Sequence, residues 1–170
     1  MKRNLPASLF LGVVFLLLGL CSATAAESSA TLPVIGKAPA WTMTDLEGHP
    51  VTAASLSGKV VVVDFWATWC GPCREEIPGY IALQKKYGKD GLVIVGASVD
   101  QKGAAHVKEF AKKNGMEYTL VMADEAAIEA FGGFEAIPTT FLIDRAGNLR
   151  HKKTGTMAAA EYEQLVKSVL

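Results

Sequence analysis

The sequence predicts an α/β fold, a central mixed β-sheet flanked by helices, and three features carry that prediction. Val60–Trp66 and Leu92–Val99 are unbroken, largely β-branched runs, the pattern of strands buried on both faces. A helical stretch follows each run, so the strands connect through helices and pair in parallel. A late hairpin, Thr140–Asp144 and Leu149–Lys153 around Arg145–Asn148, adds antiparallel strands, the outer one charged as an edge should be. At 170 residues the chain suits one domain, and with half of them hydrophobic and a fifth charged it can build a sizeable core.

At the N-terminus, Lys2 and Arg3 precede the apolar run Leu9–Leu20, and small residues continue through Cys21 to Ala26. A basic start, a short apolar run and an A-x-A exit describe a signal peptide over residues 1–26. The alternatives are an uncleaved anchor, for which a spanning helix needs roughly 20 apolar residues, and lipidation at Cys21. Leu20 argues against lipidation, because lipoproteins place small residues before the modified cysteine. Residues 27–40 are small, polar and proline-bearing and read as a flexible tether, leaving 41–170 as the folded domain. Removing Lys2 and Arg3 leaves 15 basic residues against 17 acidic, a charge of about −2. That balance points to neither nucleic acid nor an anionic membrane as partner.

Within the domain, Trp41–Thr44 and Pro50–Thr52 flank a turn at Gly48 and form a short hairpin. The strand 60–66 leads through Cys70 into a helix that runs to Tyr87 and stops at Gly88. After the strand 92–99, Val107, Phe110 and Ala111 mark a helix over 102–114, ended by Gly115. Tyr118–Met122 is a short strand, and Asp124 caps a helix reaching Phe131. Tyr162, Leu165, Val166 and Val169 recur at i, i+3, i+4, i+7 on a last helix. Phe65 and Trp66 point to opposite faces of their strand, and His49, His106 and His151 are scattered singly and read as solvated.

The chemistry lies in Cys70 and Cys73, the two cysteines outside the N-terminal segment. Directly after a buried strand, Cys70 falls at a helix N-terminus, where unpaired N–H groups and the helix dipole favour a thiolate. Cys73, one turn on, is close enough to close a disulfide and is more shielded. Exchange then proceeds by attack of Cys70, a mixed disulfide and resolution by Cys73. Gly71 leaves the approach open, and Pro72 occupies an early helical position where no hydrogen bond is lost. A zinc site would need four ligands, which the dispersed histidines do not complete. A purely structural staple would close too small a loop to add much stability. Asp64 lies in an apolar strand, where burial raises a carboxyl pKa; the alternative is an acid hydrated at the strand end.

Trp69-Cys70-Gly71-Pro72-Cys73 is identical to the thioredoxin active-site pentapeptide, and Val63–Ala67 before it is thioredoxin-like as well. Pro78 matches the superfamily's helix-kinking proline, and Ile137-Pro138-Thr139 matches its cis-proline segment. Thr68 with Arg74–Pro78 gives W-x-T-W-C-x-x-C-x-x-E-x-P, and Pro138–Asp144 reads P-T-T-F-L-I-D. These resemble the exported TlpA/ResA-like thioredoxins. The resemblance implies a thioredoxin-like fold with an N-terminal hairpin and a helical insert before the cis-proline. It implies an exported thiol–disulfide oxidoreductase, periplasmic or on the outer face of the cytoplasmic membrane. Such a protein reduces protein disulfides, often those of apocytochrome c, draws electrons from a membrane donor, and works as a monomer without a bound cofactor.

By the same resemblance Trp69 belongs to the docking surface, and the backbone of Ile137 lies beside the disulfide to pair with substrate. Asp64 matches the aspartate that relays protons to the buried cysteine, although Gly96 and Ala97 stand where thioredoxin sets a lysine. Glu76 matches the group's acidic residue near the site; its plainer reading is a first-turn or helix-face carboxylate favoured by the dipole. Two other functions fit the motifs less well. A thiol peroxidase would need P-x-x-x-T-x-x-C, and neither that proline nor that threonine precedes Cys70. A copper-handling module would need C-x-x-x-C with a distal histidine, and the spacing here is one residue short.

Overall fold

The computed structural model describes Met1 and residues 32–170; the signal-peptide, anchor and Cys21 readings fall outside them. The described chain forms one eight-stranded sheet in the order β1-β8-β7-β4-β5-β6-β2-β3. The strands are β1 (Gly36–Lys37), β2 (Thr42–Asp45), β3 (Pro50–Thr52), β4 (Val60–Trp66), β5 (Leu92–Ser98), β6 (Thr119–Met122), β7 (Thr139–Ile143) and β8 (Asn148–Thr154). The helices are α1 (Gly71–Tyr87), α2 (Ala104–Asn114), α3 (Glu125–Ala130) and α4 (Ala159–Lys167). β4, β5 and β6 are parallel, and every other pairing is antiparallel. The predicted mixed sheet and element order are present, with boundaries displaced by a residue or two.

β4 sets the frame. It pairs with β5 along its whole length and with β7 from Val61 to Phe65, and all seven of its residues are buried. Alternation along the strand divides the core in two. Val60, Val62 and Trp66 pack with residues of α1, α2 and α4. Val61, Val63 and Phe65 pack with Trp41, Met43, Phe131 and Phe141 on the side of α3. Both parallel crossovers, through α1 and through α2, lie on the first face, as consecutive right-handed connections advancing in one direction require.

Two glycines make the punctuation possible. Gly48, at φ +92°, turns the β2–β3 hairpin, and Gly115, at φ +65°, takes the left-handed position that ends α2. Two expectations change. Part of the segment read as a tether is an edge strand, because β1 pairs with β8 at Gly36↔Leu149 and Lys37↔Asn148. The amides of Ile35 and Ala38 extend that pairing by bonding the carbonyls of Leu149 and Gly147 at 2.9 and 3.0 Å. β8 is therefore covered at its start, and its charge has a structural use there: Arg150 donates to Asp144 at 2.9 Å and to the Leu32 carbonyl. Composition alone does not reveal this pairing, since Gly36 and Lys37 contribute backbone bonds rather than apolar side chains.

Phe65 anchors the second face, with ring centroids 4.7 Å from Phe134, 5.3 Å from Phe131 and 6.0 Å from Phe141. Phe65→Ala is expected to cost about 3–5 kcal/mol, the usual price of an aromatic cavity, read as a fall in the urea midpoint. A loss under about 1 kcal/mol would contradict this account of the core.

Candidate active site

The site forms at the C-terminal end of β4, where α/β sheets commonly place their chemistry. Residues 67–70 turn the chain from strand into α1. Cys70 is the N-cap of α1, with extended backbone, and its sulfur accepts the Cys73 amide at 3.2 Å. That bond satisfies one of the N–H groups every helix start leaves unpaired. Pro72 stands in the first turn, where its missing N–H costs nothing. Cys70 and Cys73 are joined in a disulfide with a Cα–Cα separation of 5.3 Å. Cys73 is sealed at 1% exposure and Cys70 at 6%, while Gly71 and Pro72 beside them are open to solvent. Trp69, next to Cys70, is the most exposed aromatic among the described residues, at 67%.

Pro138 reaches this point from the far end of the chain. The Ile137–Pro138 peptide is cis, and the Ile137 carbonyl oxygen lies 3.8 Å from Cys70 Sγ. The Pro138 carbonyl accepts from the Gly155 amide at 2.8 Å, and Thr139 Oγ1 donates to the Ala136 carbonyl at 2.7 Å. The segment is thus held from both sides, leaving the backbone of residue 137 facing the sulfur.

β4 also carries a buried polar group. Asp64, opposite Thr140 on β7 and Gly96 on β5, is 3% exposed. It is not a hydrated acid at a strand end. It lies on the same face of β4 as Val62 and Trp66, which pack in the cluster containing Cys73. Thr140 Oγ1 donates to Asp64 Oδ1 at 3.1 Å and lies 3.4 Å from the Tyr80 hydroxyl. Burial pushes the Asp64 carboxyl up to about 8, the negative charge of Glu76 adds to the rise, and the Thr140 bond only partly offsets it. A side chain at position 96 would crowd its neighbours. A Cβ there would lie 2.8 Å from Leu120 Cδ2 and 3.1 Å from both Trp66 Nε1 and Tyr118 Cε2.

Glu76 is not in the first turn of α1, so the dipole reading fails. It lines a cleft with Glu75, Gly79, Tyr80, Met157 and Tyr162. Its Oε1 accepts the Met157 amide at 2.9 Å, while its buried Oε2 has no partner among the described residues. Burial raises its pKa, with Glu75 adding to the rise and the Met157 bond and Lys153 opposing it. The structure therefore brings Cys70, Cys73, Ile137 and Pro138 together at one helix start, and sets Asp64 and Glu76 near enough for the charge of Glu76 to raise the Asp64 pKa. Sequence reasoning missed Thr140 and Tyr80. Thr140 sat in the quoted P-T-T motif, but nothing in the spacing of either residue tells that their hydroxyls meet.

Known proteins similar to this chain are named for thiol–disulfide chemistry. The family model described as AhpC/TSA matches residues 34–152. The chain belongs to the AhpC/TSA family. It is 33% identical over 132 residues to the thiol–disulfide oxidoreductase ResA of Geobacillus kaustophilus, covering 78% of this chain and 75% of that one. The ResA of Bacillus thuringiensis is 34% identical over 136 residues, covering 79% and 78%. A crystal structure of a thioredoxin-family thiol:disulfide interchange protein from Chlorobium tepidum superimposes with a TM-score of 0.73 at 37% identity, covering 79% and 95%. The fold is thioredoxin-like, and this AhpC/TSA member is a ResA-like thiol–disulfide oxidoreductase.

The Asp64 shift carries a pH consequence for the oxidised protein. Its carboxyl holds a proton to about 8 when folded but only to about 3.9 when unfolded. Its contribution to stability is therefore complete below about pH 4 and is lost as pH rises toward 8. Asp64→Asn is expected to flatten the stability–pH curve across that window and to be more stable than the wild type at pH 8, by on the order of 2–4 kcal/mol. Parallel urea titrations at several pH values check this; identical slopes for the two proteins would refute it.

Proposed function

We propose that the protein works outside the cytoplasm as a reductase of protein disulfides, apocytochrome c before haem attachment among its clients, recharged by a membrane dithiol donor. The observation that carries this reading is the Cys70 sulfur held on the Cys73 amide at 3.2 Å, with a shielded partner thiol behind it. The basic-apolar-small pattern of residues 2–26 supports export, the Gly71-Pro72 dipeptide supports the reducing direction, and the ResA relatives support thiol–disulfide exchange. No helix among the described residues is long and apolar enough to cross a membrane.

In the reduced protein the Cys70 thiolate attacks one sulfur of a client disulfide. A Cys70–client bond forms and the client's second sulfur leaves as a thiolate, taking a proton from solvent. The client chain lies along residue 137, its backbone adding to the exposed strand end as in β-augmentation. Cys73 then passes its proton to Asp64 and attacks Cys70 Sγ, closing the Cys70–Cys73 bond and expelling the client as its second thiolate. Two electrons have passed to the client. The donor dithiol reverses the sequence, and Asp64 returns its proton to Cys73. A carboxyl with a pKa near 8 suits both directions, since transfer is most effective when the pKa lies near the working pH. We assign to Glu76, whose charge adds to the rise at Asp64 and which lines a neighbouring cleft, the relay of this proton outward.

Cys73→Ser is expected to hold clients as mixed disulfides on Cys70, released by dithiothreitol and identified by mass spectrometry. Exported proteins with paired cysteines should dominate; a variant purified without reducible adducts would overturn the client reading. The potential of the Cys70–Cys73 couple checks direction separately. A value near about −270 mV fits a reductant, and one near about −120 mV would make the protein an oxidant instead.

A further inference from the structure

The loop that delivers Cys70 is tied down by a polar cluster that the exchange chemistry above does not use. Asp100, two residues past the end of β5, is 5% exposed and has no basic side chain against it in any salt bridge found among the described residues. Three donors meet its carboxylate instead. The Thr68 amide reaches Oδ2 at 2.8 Å, the Thr68 hydroxyl reaches Oδ1 at 2.6 Å, and the Ser98 hydroxyl reaches Oδ2 at 2.8 Å. Ser98 Oγ in turn accepts the Asp100 amide at 3.1 Å. The Thr68 oxygen also lies 3.1 Å from His106 Nε2, on the first turn of α2. Since the hydroxyl hydrogen is committed to Asp100, His106 must present Nε2–H and donate. His106 is thus not the solvated histidine that its isolation in the sequence suggests.

Thr68 gives Asp100 both its backbone and its side chain, and it is only 7% exposed between the open Trp69 and the rest of the turn. The same short loop carries the Cys70 amide to the Ala67 carbonyl at 3.1 Å, and the Val99 amide to the Trp66 carbonyl at 2.9 Å. Trp69 and Asp100 line one shallow cleft with Val99, Gln101 and Lys102. A buried carboxylate is costly unless fully hydrogen-bonded. A cluster satisfied this completely, in low dielectric, therefore holds its members in one arrangement.

We propose that Thr68, Asp100, Ser98 and His106 form a clasp that positions the Trp69–Cys70 loop, so that the Cys70 sulfur stays on the α1 amides in the reduced enzyme. These are positioning residues; none touches the client. The inference concerns the reactivity of Cys70 itself, so it stands or falls apart from the direction, client and compartment proposed above. Loosening the clasp lets the sulfur leave the Cys73 amide, which weakens the thiolate's stabilisation and moves its titration upward.

The test is the pH dependence of iodoacetamide alkylation of the reduced full chain, followed at the Cys70 peptide by mass. Thr68→Val removes the hydroxyl without changing charge, which Asp100→Asn would not do. It is expected to raise the alkylation midpoint by about half a pH unit and slow the reaction roughly threefold below it, while Thr68→Ser restores the wild-type profile. An unchanged Thr68→Val profile overturns the clasp, and so does a shift that Thr68→Ser shares. Should Thr68→Val fail to fold, Ser98→Ala takes its place. It frees one side of Asp100 without touching the loop, and it must move the midpoint in the same direction, or the proposal is wrong.

Discussion

β4 runs between two neighbours and under two layers of side chains, so a carboxyl placed on it cannot reach water. Asp64 occupies that position. In the interior an ionised carboxylate is costly, and its one hydroxyl donor, Thr140, falls short of the hydration it gave up. The outcome is a carboxyl whose pKa is pushed up to about 8. A group that costs stability when it ionises is also one that can accept or release a proton on demand. The strand that makes the fold rigid is the same one that makes this acid usable.

Around that constraint the two sulfurs divide the labour by depth. Cys70 sits at the helix cap, beside open Gly71 and Pro72, with the Ile137 carbonyl 3.8 Å away. Cys73, one turn in, is almost fully enclosed. Of the two sulfurs Cys70 is thus the more accessible, and Cys73 is almost closed to water. The helix start, the cis-proline segment and the buried acid come from three distant parts of the chain. They meet because β4 pairs β5 on one side and β7 on the other.

Much of this was legible in the residues. The runs Val60–Trp66 and Leu92–Val99 announced doubly buried strands, and the Cys70–Cys73 spacing after the first announced a helix-start dithiol. What could not be read has a common cause. β1 is made of backbone bonds from Gly36 and Lys37, which leave no side-chain pattern. The Thr140–Tyr80 contact joins residues 60 positions apart, and the Thr68–His106 contact joins residues 38 apart. Periodicity reports which face a side chain occupies, not which distant hydroxyl it meets there. His106 illustrates the gap, since a single histidine on a helix carries no local mark of the partner across the loop.

Gly96 has a consequence beyond the crowding that a side chain there would meet. Leu120, Trp66 and Tyr118 close over it on the β5 flank of Asp64, while the hydroxyls of Thr140 and Tyr80 stand on the β7 flank. The sulfurs and the buried acid thus open on different surroundings: Cys70 faces the Ile137 carbonyl at the helix start, while Glu76, whose charge adds to the rise at Asp64, lines a cleft with Tyr80 and Tyr162.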